Sequence, residues 1–402
     1  MKASDVCCPE WLKPRLEQHG NSVPFSTFMD WALHDPEHGA YGSGHLQLGA
    51  DGDFVTSPSL GEDFCSLLAV QLREWLELLA ERHPGSLLSI VDVGPGEGDM
   101  VASLMALLQS QAPELLPRLE FVLVELNPGM ETRQRLRFET SSNPRCRWCS
   151  LDDLSAEPVT GILIAHELLD ALPVERLVLR EGELRRQMVT LNPDLSHPIG
   201  LLSWDDDPLP ASLAGRIQME ADRAGVRIPP PAAEDGWATE WHHAVSPWMQ
   251  EAFAALHDGM LLVVDYALEA SRYYAPLRRD GTLMAYSCQT ASADVLRDPG
   301  RQDITAHLCL DTLVASGCAA GWRFVGQCRQ GEALLALGLA ERLTALQQIP
   351  GNRLGEAFNR RESLLRLVDP SCLGDLRWLA FSHSDPAAVS DHPLSPRFLQ
   401  EP

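Results

Sequence analysis

The sequence has no apolar run approaching the roughly twenty residues that a membrane-spanning helix needs. Its longest runs, "SLLSIVDVG" and "GMLLVVDYA", are strand-sized, so no membrane insertion is expected. Positive charge is scarce: 32 Lys and Arg stand against 56 Asp and Glu, for a formal net charge of -24. Such a field repels phosphate backbones and anionic headgroups, which excludes nucleic acid as an expected partner. A cationic substrate or a basic protein surface would be drawn in, although solubility alone also accounts for the charge. The ten cysteines show no framework spacing, so reduced thiols are expected. Cys146 and Cys149 form a lone CxxC without a second ligand pair; they read as buried strand cysteines, and no metal site is expected. There is no internal repeat and no low-complexity stretch. The opening "MKASDVCCPEWLKPRLEQHG" has neither a signal-peptide core nor a transit composition, which leads to the expectation of a cytoplasmic protein.

What is present is ordinary globular material: 402 residues, 45% hydrophobic and 22% charged, enough for two domains or one large elaborated one. "FSTFMDWALHD" sets Phe25, Phe28, Met29, Ala32 and Leu33 on one helical face that ends at Asp35-Pro36. "LGEDFCSLLAVQLREWLELLAER" carries a broader apolar stripe suited to packing on a sheet. From Leu87 short apolar runs alternate with helical segments, as in a parallel sheet with crossovers. Strands are expected at about 87–93, 120–126, 145–149 and 161–166, and "GWRFVGQCR" and "LRWLAFSH" read as late strands. The alternation breaks between Asp170 and Val245, where "VERLVLREGELRRQMVTL" reads as a hairpin turning at Glu181-Gly182. The expected organisation is a helical segment over 1–86, a core over 87–170 and 246–345, an inserted cap over 171–245, and an extension over 346–402.

Four stretches carry chemistry. "VDVGPGEGDM" ends a strand in GxGxG, with Gly94, Gly96 and Gly98 after Asp92, and Asp99 stands where a dinucleotide fingerprint wants its last small residue. Glu97 and Asp99 beside a helix N-terminus would repel a pyrophosphate, so the loop suits S-adenosylmethionine better than NAD. Glu125, with Leu126 after it, ends the next strand in "FVLVELNPGM"; an acid there can accept from both ribose hydroxyls of either cofactor. In "SLDDLSAE", Asp152 or Asp153 could meet an adenine amino group, and capping a turn is an equally good reading. "GILIAHELLDALPVERL" puts His166, Glu167 and Asp170 just past a buried strand, where open α/β sheets bind ligands.

Together with "GDFVTSPSL", "VVDYALEASRYYAPLRRDGTLMAY", "DPGRQDITAH" and "CRQGEALLALGL", these stretches resemble, in order, the landmarks of the MidA family of class I S-adenosylmethionine-dependent methyltransferases. The resemblance runs from about Phe25 to Leu339. It implies an α/β fold with a seven-stranded, Rossmann-like sheet, an N-terminal helical layer and an inserted cap. It also implies that Asp92, Gly94, Gly96, Gly98, Glu125, Leu126 and Asp152 or Asp153 hold the cofactor, while Thr56, Ser57 and Pro58 close over its methionine end. Glu167 and Asp170, with His166 as orienter or proton path, then face the methyl group and acceptor, and Asp265 and Tyr266 are weaker candidates. Mitochondrial members of the family methylate an arginine on a respiratory complex I subunit during assembly, so the implied partner is a protein with an accessible arginine. A homodimer is compatible with the sequence. Ser59 stands where the family usually has Glu, and Phe64-Cys65-Ser66 replaces its "FGE", which puts the substrate in question. The alternatives are a catalytically silent assembly factor that binds S-adenosylmethionine and, less favoured, an NAD-dependent dehydrogenase.

Overall fold

The structure is a computed structural model. It describes all residues except 1–5, 45, 47–48, 50–51, 53, 139–144, 194–198, 384–393 and 402. Asp53 of the "GDFVTSPSL" landmark and parts of both terminal segments therefore lie outside the described residues.

The principal elements are α1 (Phe25–His34), α2 (Glu62–Arg82), β1 (Leu88–Val93), α3 (Asp99–Gln111), β2 (Leu119–Val124), α4 (Pro128–Phe138), β3 (Arg145–Trp148) and α5 (Leu151–Ala156). They continue with β4 (Val159–His166), α6 (Val245–Ala254), β5 (Leu256–Asp265), α7 (Leu310–Ala320), β6 (Arg323–Arg329), α8 (Gln330–Ala336), α9 (Leu354–Val368) and β7 (Arg377–His383). The seven strands form one sheet in the order β6-β7-β5-β4-β1-β2-β3. All neighbours run parallel except β7, which is antiparallel to both β5 and β6.

Alternation along the strands divides the core in two, because successive side chains leave opposite faces. Ile90, Phe121, Leu123, Ile162, Ile164 and Leu262 enter one apolar layer with Leu72, Trp75 and Leu79 of α2 and Leu104 and Leu108 of α3. Val91, Val122, Val124, Leu163, Ala165 and Leu261 enter the other with α6 and α7. Both sheet faces are thus covered, which is why β1, β2 and the second half of β4 read as continuous apolar runs.

The insertion after β4 forms a second sheet. Its strands follow the order Val6–Cys7, Leu201–Pro208, Glu183–Asn192, Glu175–Arg180 and Ala238–Trp241, and Ser22–Pro24 also pairs with Glu183–Asn192. The hairpin turns at Glu181 and Gly182, both at positive φ as a two-residue primed turn requires. The segment 1–86, read as helical, contributes two strands here, Val6–Cys7 and Ser22–Pro24; two- and three-residue strands are too short to show a period. All five apolar residues on the predicted face of α1 are buried, but against the cap sheet and not the main one.

Two further expectations change. The stretch 346–402, read as an extension, supplies β7, which lies inside the core sheet between β5 and β6. Between β5 and α7 the chain makes a second excursion, with a small sheet of Met284–Ser287, Thr290–Ser292 and Asp303–Thr305, within the span read as core. Cys146 and Cys149 are only half-buried, and no disulfide joins the cysteines among the described residues.

Close approach of β1, β4 and β5 depends on glycine. A Cβ on Gly161 would lie 1.9 Å from the Ser89 carbonyl oxygen, and one on Gly259 would lie 1.8 Å from the Gly161 carbonyl oxygen. Gly161→Ala is therefore expected to destabilise the protein by at least the roughly 1–3 kcal/mol typical of overpacking, measured by urea unfolding. A stability equal to that of the parent would contradict this strand spacing.

Candidate functional site

The chain order reverses its direction across the sheet between β4 and β1, and the carboxyl ends of strands at such a switch point leave a crevice. A cavity of about 550 Å³ occupies it. Its walls come from the glycine loop after β1, the residues after β2, the start of α5, the residues after β4, the loops around Tyr41 and Thr56, and α6.

The glycine loop is built by backbone freedom. Gly94, Gly96 and Gly98 have φ of +68°, +55° and +80°, a region that a Cβ disfavours. A Cβ on Gly94 would also stand 2.6 Å from Leu168 Cδ1. Gly94 and Gly96 line the cavity. Gly98, assigned to the cofactor, does not; it caps α3 from outside the wall because its own side faces Phe138. Gln134, wholly buried on α4, fastens the loop: its Nε2 donates to the Gly96 carbonyl at 2.7 Å and to Glu125 Oε2 at 2.9 Å. Trp148 Nε1 donates to its Oε1 at 2.9 Å. Sequence reasoning missed Gln134, which shows only as one polar residue in a polar helix.

Asp92, near the end of β1, is buried and lines the cavity, and its Oδ2 has no hydrogen-bond partner. Burial and the neighbouring Glu125 push its carboxyl up to about 8. Glu125 follows β2; burial raises it, while N–H donors from Asn127 and Gln134 pull it back. Leu126, largely exposed, continues the wall. Glu97 and Asp99, expected to repel a phosphate, pair with Arg133 and Arg137. The anion-repelling character of the loop therefore rests on Asp92 and Glu125.

The structure separates the pair in "SLDDLSAE". Asp152 lines the cavity. Asp153 does not: its Oδ2 accepts from the Ser150 N–H at 2.9 Å and from the Ser150 hydroxyl, in a capping box that starts α5. Thr56 and Pro58 line the cavity, and Ser57 is buried behind them. Ser57 N–H donates to Glu167 Oε1 at 3.3 Å, so it touches the site through Glu167 and does not cover a ligand. Ser59 closes the same turn, accepting from Thr56 N–H and donating to Thr56 O.

At the end of β4, Glu167 has φ +49°, a conformation that costs a non-glycine residue about 1–3 kcal/mol. It is held by its N–H donating to the Val264 carbonyl of β5 at 2.8 Å. Burial, with Asp265 and Asp303 nearby, pushes its carboxyl up to about 8. His166 lines the cavity but is buried enough to bring its imidazole down to about 3. It is neutral at physiological pH, so it holds no resting positive charge, whether as orienter or as proton path. Asp170 is buried beside the cavity and not in its wall, which corrects its placement facing the acceptor; burial and the charges of Asp265, Asp303 and Glu167 raise it well above the carboxylate range. Asp265 is occupied structurally, accepting from the N–H groups of Leu169, Asp170 and Tyr266. Neither it nor Tyr266 lines the cavity. Tyr41, hydrogen-bonded to Asp303, does line it and was not foreseen.

Buried carboxyls that no Arg or Lys pairs with among the described residues suit a positively charged ligand and oppose a pyrophosphate. S-adenosylmethionine carries a sulfonium and an ammonium and no phosphate, and it fits this lining. Comparison with known proteins agrees. Residues 67–328 match the model of the family Methyltransf_28, S-adenosyl-L-methionine-dependent methyltransferases. The mitochondrial protein arginine methyltransferase NDUFAF7 of Danio rerio is 25% identical over 307 residues, 71% of this chain and 66% of its own length. The Xenopus tropicalis protein of that name is 25% identical over 354 residues, 81% of this chain and 74% of its own. A COG1565 superfamily member from Burkholderia thailandensis, bound to S-adenosyl-homocysteine, superposes with a TM-score of 0.80 over 97% of this chain and 94% of its own at 25% identity. With well over half of its length matched by one family model, around a glycine loop and crevice that fit the cofactor, the chain belongs to the Methyltransf_28 family of S-adenosyl-L-methionine-dependent methyltransferases.

Proposed function

We propose that this methyltransferase modifies an arginine side chain of a protein. The observation that carries the reading is the group of buried carboxyls around the end of β4: Glu167 faces the cavity with Asp170 and Asp265 behind it, and no Arg or Lys pairs with these three among the described residues. A guanidinium is the planar, permanently charged group that a carboxylate binds bidentately. The relatives named as protein arginine methyltransferases support this acceptor. The first acceptor to test is an arginine on a respiratory complex I-type subunit, as the family resemblance implies, and a cytoplasmic site of action belongs to the same proposal.

In this reading Asp92, Gly94, Gly96, Glu125, Leu126 and Asp152 hold the cofactor, with Thr56 and Pro58 opposite. When bound, S-adenosylmethionine supplies an electrophilic methyl group on a sulfonium that becomes a neutral thioether. Glu167 orients the guanidinium so that one nitrogen faces that methyl, and its Oε2 takes the proton that the nitrogen loses as the N–C bond forms. A carboxyl raised to about 8 is better matched to accept that proton near neutral pH than an ordinary carboxylate. Neutral His166 excludes water beside it, packed edge-on against Phe64 at 5.3 Å.

Labelled S-adenosylmethionine, incubated with the protein and an extract of cells lacking it, should leave its label in methylarginine after acid hydrolysis of the protein fraction. Label in another amino acid would overturn the acceptor, and no transfer to any protein would favour a silent binding factor. Glu167→Gln should keep cofactor affinity within about threefold and slow transfer at least about a hundredfold; calorimetry and initial rates separate the two.

Asp92 gives a pH dependence. Its carboxyl lies near 8 in the free protein, so at lower pH binding a cation there expels a proton. Affinity for S-adenosylmethionine should rise with pH toward 8, at a slope approaching tenfold per unit, and then level. Asp92→Asn should bind more weakly at pH 8 and flatten that slope. The stability of the free protein has the opposite sign: between the ordinary 3.8 and about 8 the folded state holds more protons at Asp92 than the unfolded state, so this contribution is lost as pH rises. Urea unfolding should show a shallower decline in Asp92→Asn than in the parent; an equal decline would mean that Asp92 is not protonated in the fold.

A further inference from the structure

Gln330, the first residue of α8, is wholly buried, and every polar atom of its side chain is engaged. Its Nε2 donates to the carbonyls of Leu367, in α9, and Leu373, each at 3.1 Å. These two acceptors fix the orientation of the amide, because only the NH₂ end can face them. Oε1 is thereby turned the other way. It accepts from Trp378 Nε1 of β7 and from Ser57 Oγ, both at 3.2 Å. A hydroxyl has one proton, so the Ser57 hydroxyl is committed to Gln330 and cannot donate to Glu167. What remains for Glu167 is the Ser57 backbone N–H, at 3.3 Å from Oε1.

We propose that Ser57 and Gln330 are positioning residues for the transfer reaction: the C-terminal segment from α9 to β7 fixes the Gln330 amide, Gln330 anchors Ser57, and Ser57 holds one oxygen of the Glu167 carboxylate so that the other faces the acceptor. This inference rests on the assignment of Glu167 above. It gives the C-terminal segment, whose role the sequence left open, a part in the chemistry of a site it does not touch. The two ends of Glu167 are then tied to separate parts of the chain. β5 holds its backbone through the Val264 carbonyl at 2.8 Å, and the turn at Ser57 holds its carboxylate. A carboxylate anchored at one oxygen presents the other in a fixed direction, and loss of a supporting hydrogen bond to a reacting group commonly costs about ten- to a hundredfold.

The test is Ser57→Ala, which keeps the backbone N–H and removes only its anchor, alone and combined with Glu167→Gln. Affinity for S-adenosylmethionine is read by calorimetry, and the initial rate as tritiated methyl transferred to protein of an extract from cells lacking this protein. Ser57→Ala should leave affinity within about twofold and lower the rate about tenfold. In the Glu167→Gln background it should lower the rate no further, because the group it acts through is already gone. A parental rate in Ser57→Ala, or the same loss in both backgrounds, overturns the proposal; the second result marks a purely structural role. Gln330→Met, which keeps volume and removes the acceptor of Ser57, repeats the cycle from the far side and decides it if Ser57→Ala does not fold. If Glu167→Gln slows transfer and Ser57→Ala does not, this inference alone fails. If Glu167→Gln itself transfers at the parental rate, the assignment of Glu167 fails and takes this inference with it.

Discussion

The burial of carboxyl groups at the carboxyl edge of β1, β4 and β5, with no Arg or Lys paired to them among the described residues, is the constraint on which the site depends. Asp92, Glu167 and Asp265 are pushed to about 8, 8 and 7, chiefly by loss of water. A fold that had to hold these groups for stability alone would do better with apolar residues of the same size. Their burial is tolerated because each is either protonated or supplied with N–H donors until a cation arrives. The binding of a positively charged ligand and the ionisation of the site are therefore one event.

The two ends of the cavity meet this constraint differently. Around the glycine loop the outer acids are neutralised: Glu97 by Arg133, Asp99 by Arg137, and both Arg residues lie on α4, which also carries Gln134. That helix thus sets the charge of the loop and its shape together. Around the end of β4, among the described residues, no such helix supplies cations. Asp265 receives three backbone N–H groups, which pull it back against the rise that burial causes, and it holds the turn that carries Asp170. The end of β4 is left electrostatically incomplete, whereas at the glycine loop Asp92 and Glu125 are the acids without an Arg or Lys partner among the described residues.

Much of this was legible in the sequence because it depends on local chemistry. The run from Ser89 to Val93, followed by three glycines, announces a buried strand and a loop of positive φ, and both follow from sterics within ten residues. His166 and Glu167 could be placed at a sheet edge because they end an apolar run. What was illegible depends on partners distant in the chain. Asp152 and Asp153 are the exception, since a local signal separates them: Asp153 stands three residues after Ser150 and closes a capping box with it, which leaves Asp152 for the cavity. Nothing in "LRWLAFSH" says that it inserts between β5 and β6, because an antiparallel strand can enter wherever two neighbours leave room. Ser57 looked like a residue that closes over a ligand, and its neighbours do line the cavity; burial behind them is settled by Gln330, 273 positions away.

The same distinction explains why departures from the family pattern at Ser59 and Cys65 leave the site built. Ser59 satisfies both the N–H and the carbonyl of Thr56, so the turn is closed by a hydroxyl where a carboxylate would otherwise stand. One fewer negative charge near Glu167 is a smaller electrostatic load on a group already raised by Asp265 and Asp303. Cys65 is wholly buried on α2, beside Phe64, which stacks edge-on against His166. Ser66, next to it and also buried, stands where the family pattern has Glu; a carboxylate there would have been buried on α2, whereas a hydroxyl carries no charge. Ser59 and Ser66 thus remove charge from the support of the site and leave Glu167 in place, so the preference of the cavity for a cation rests on the carboxyls at the strand ends and not on the turn that covers them.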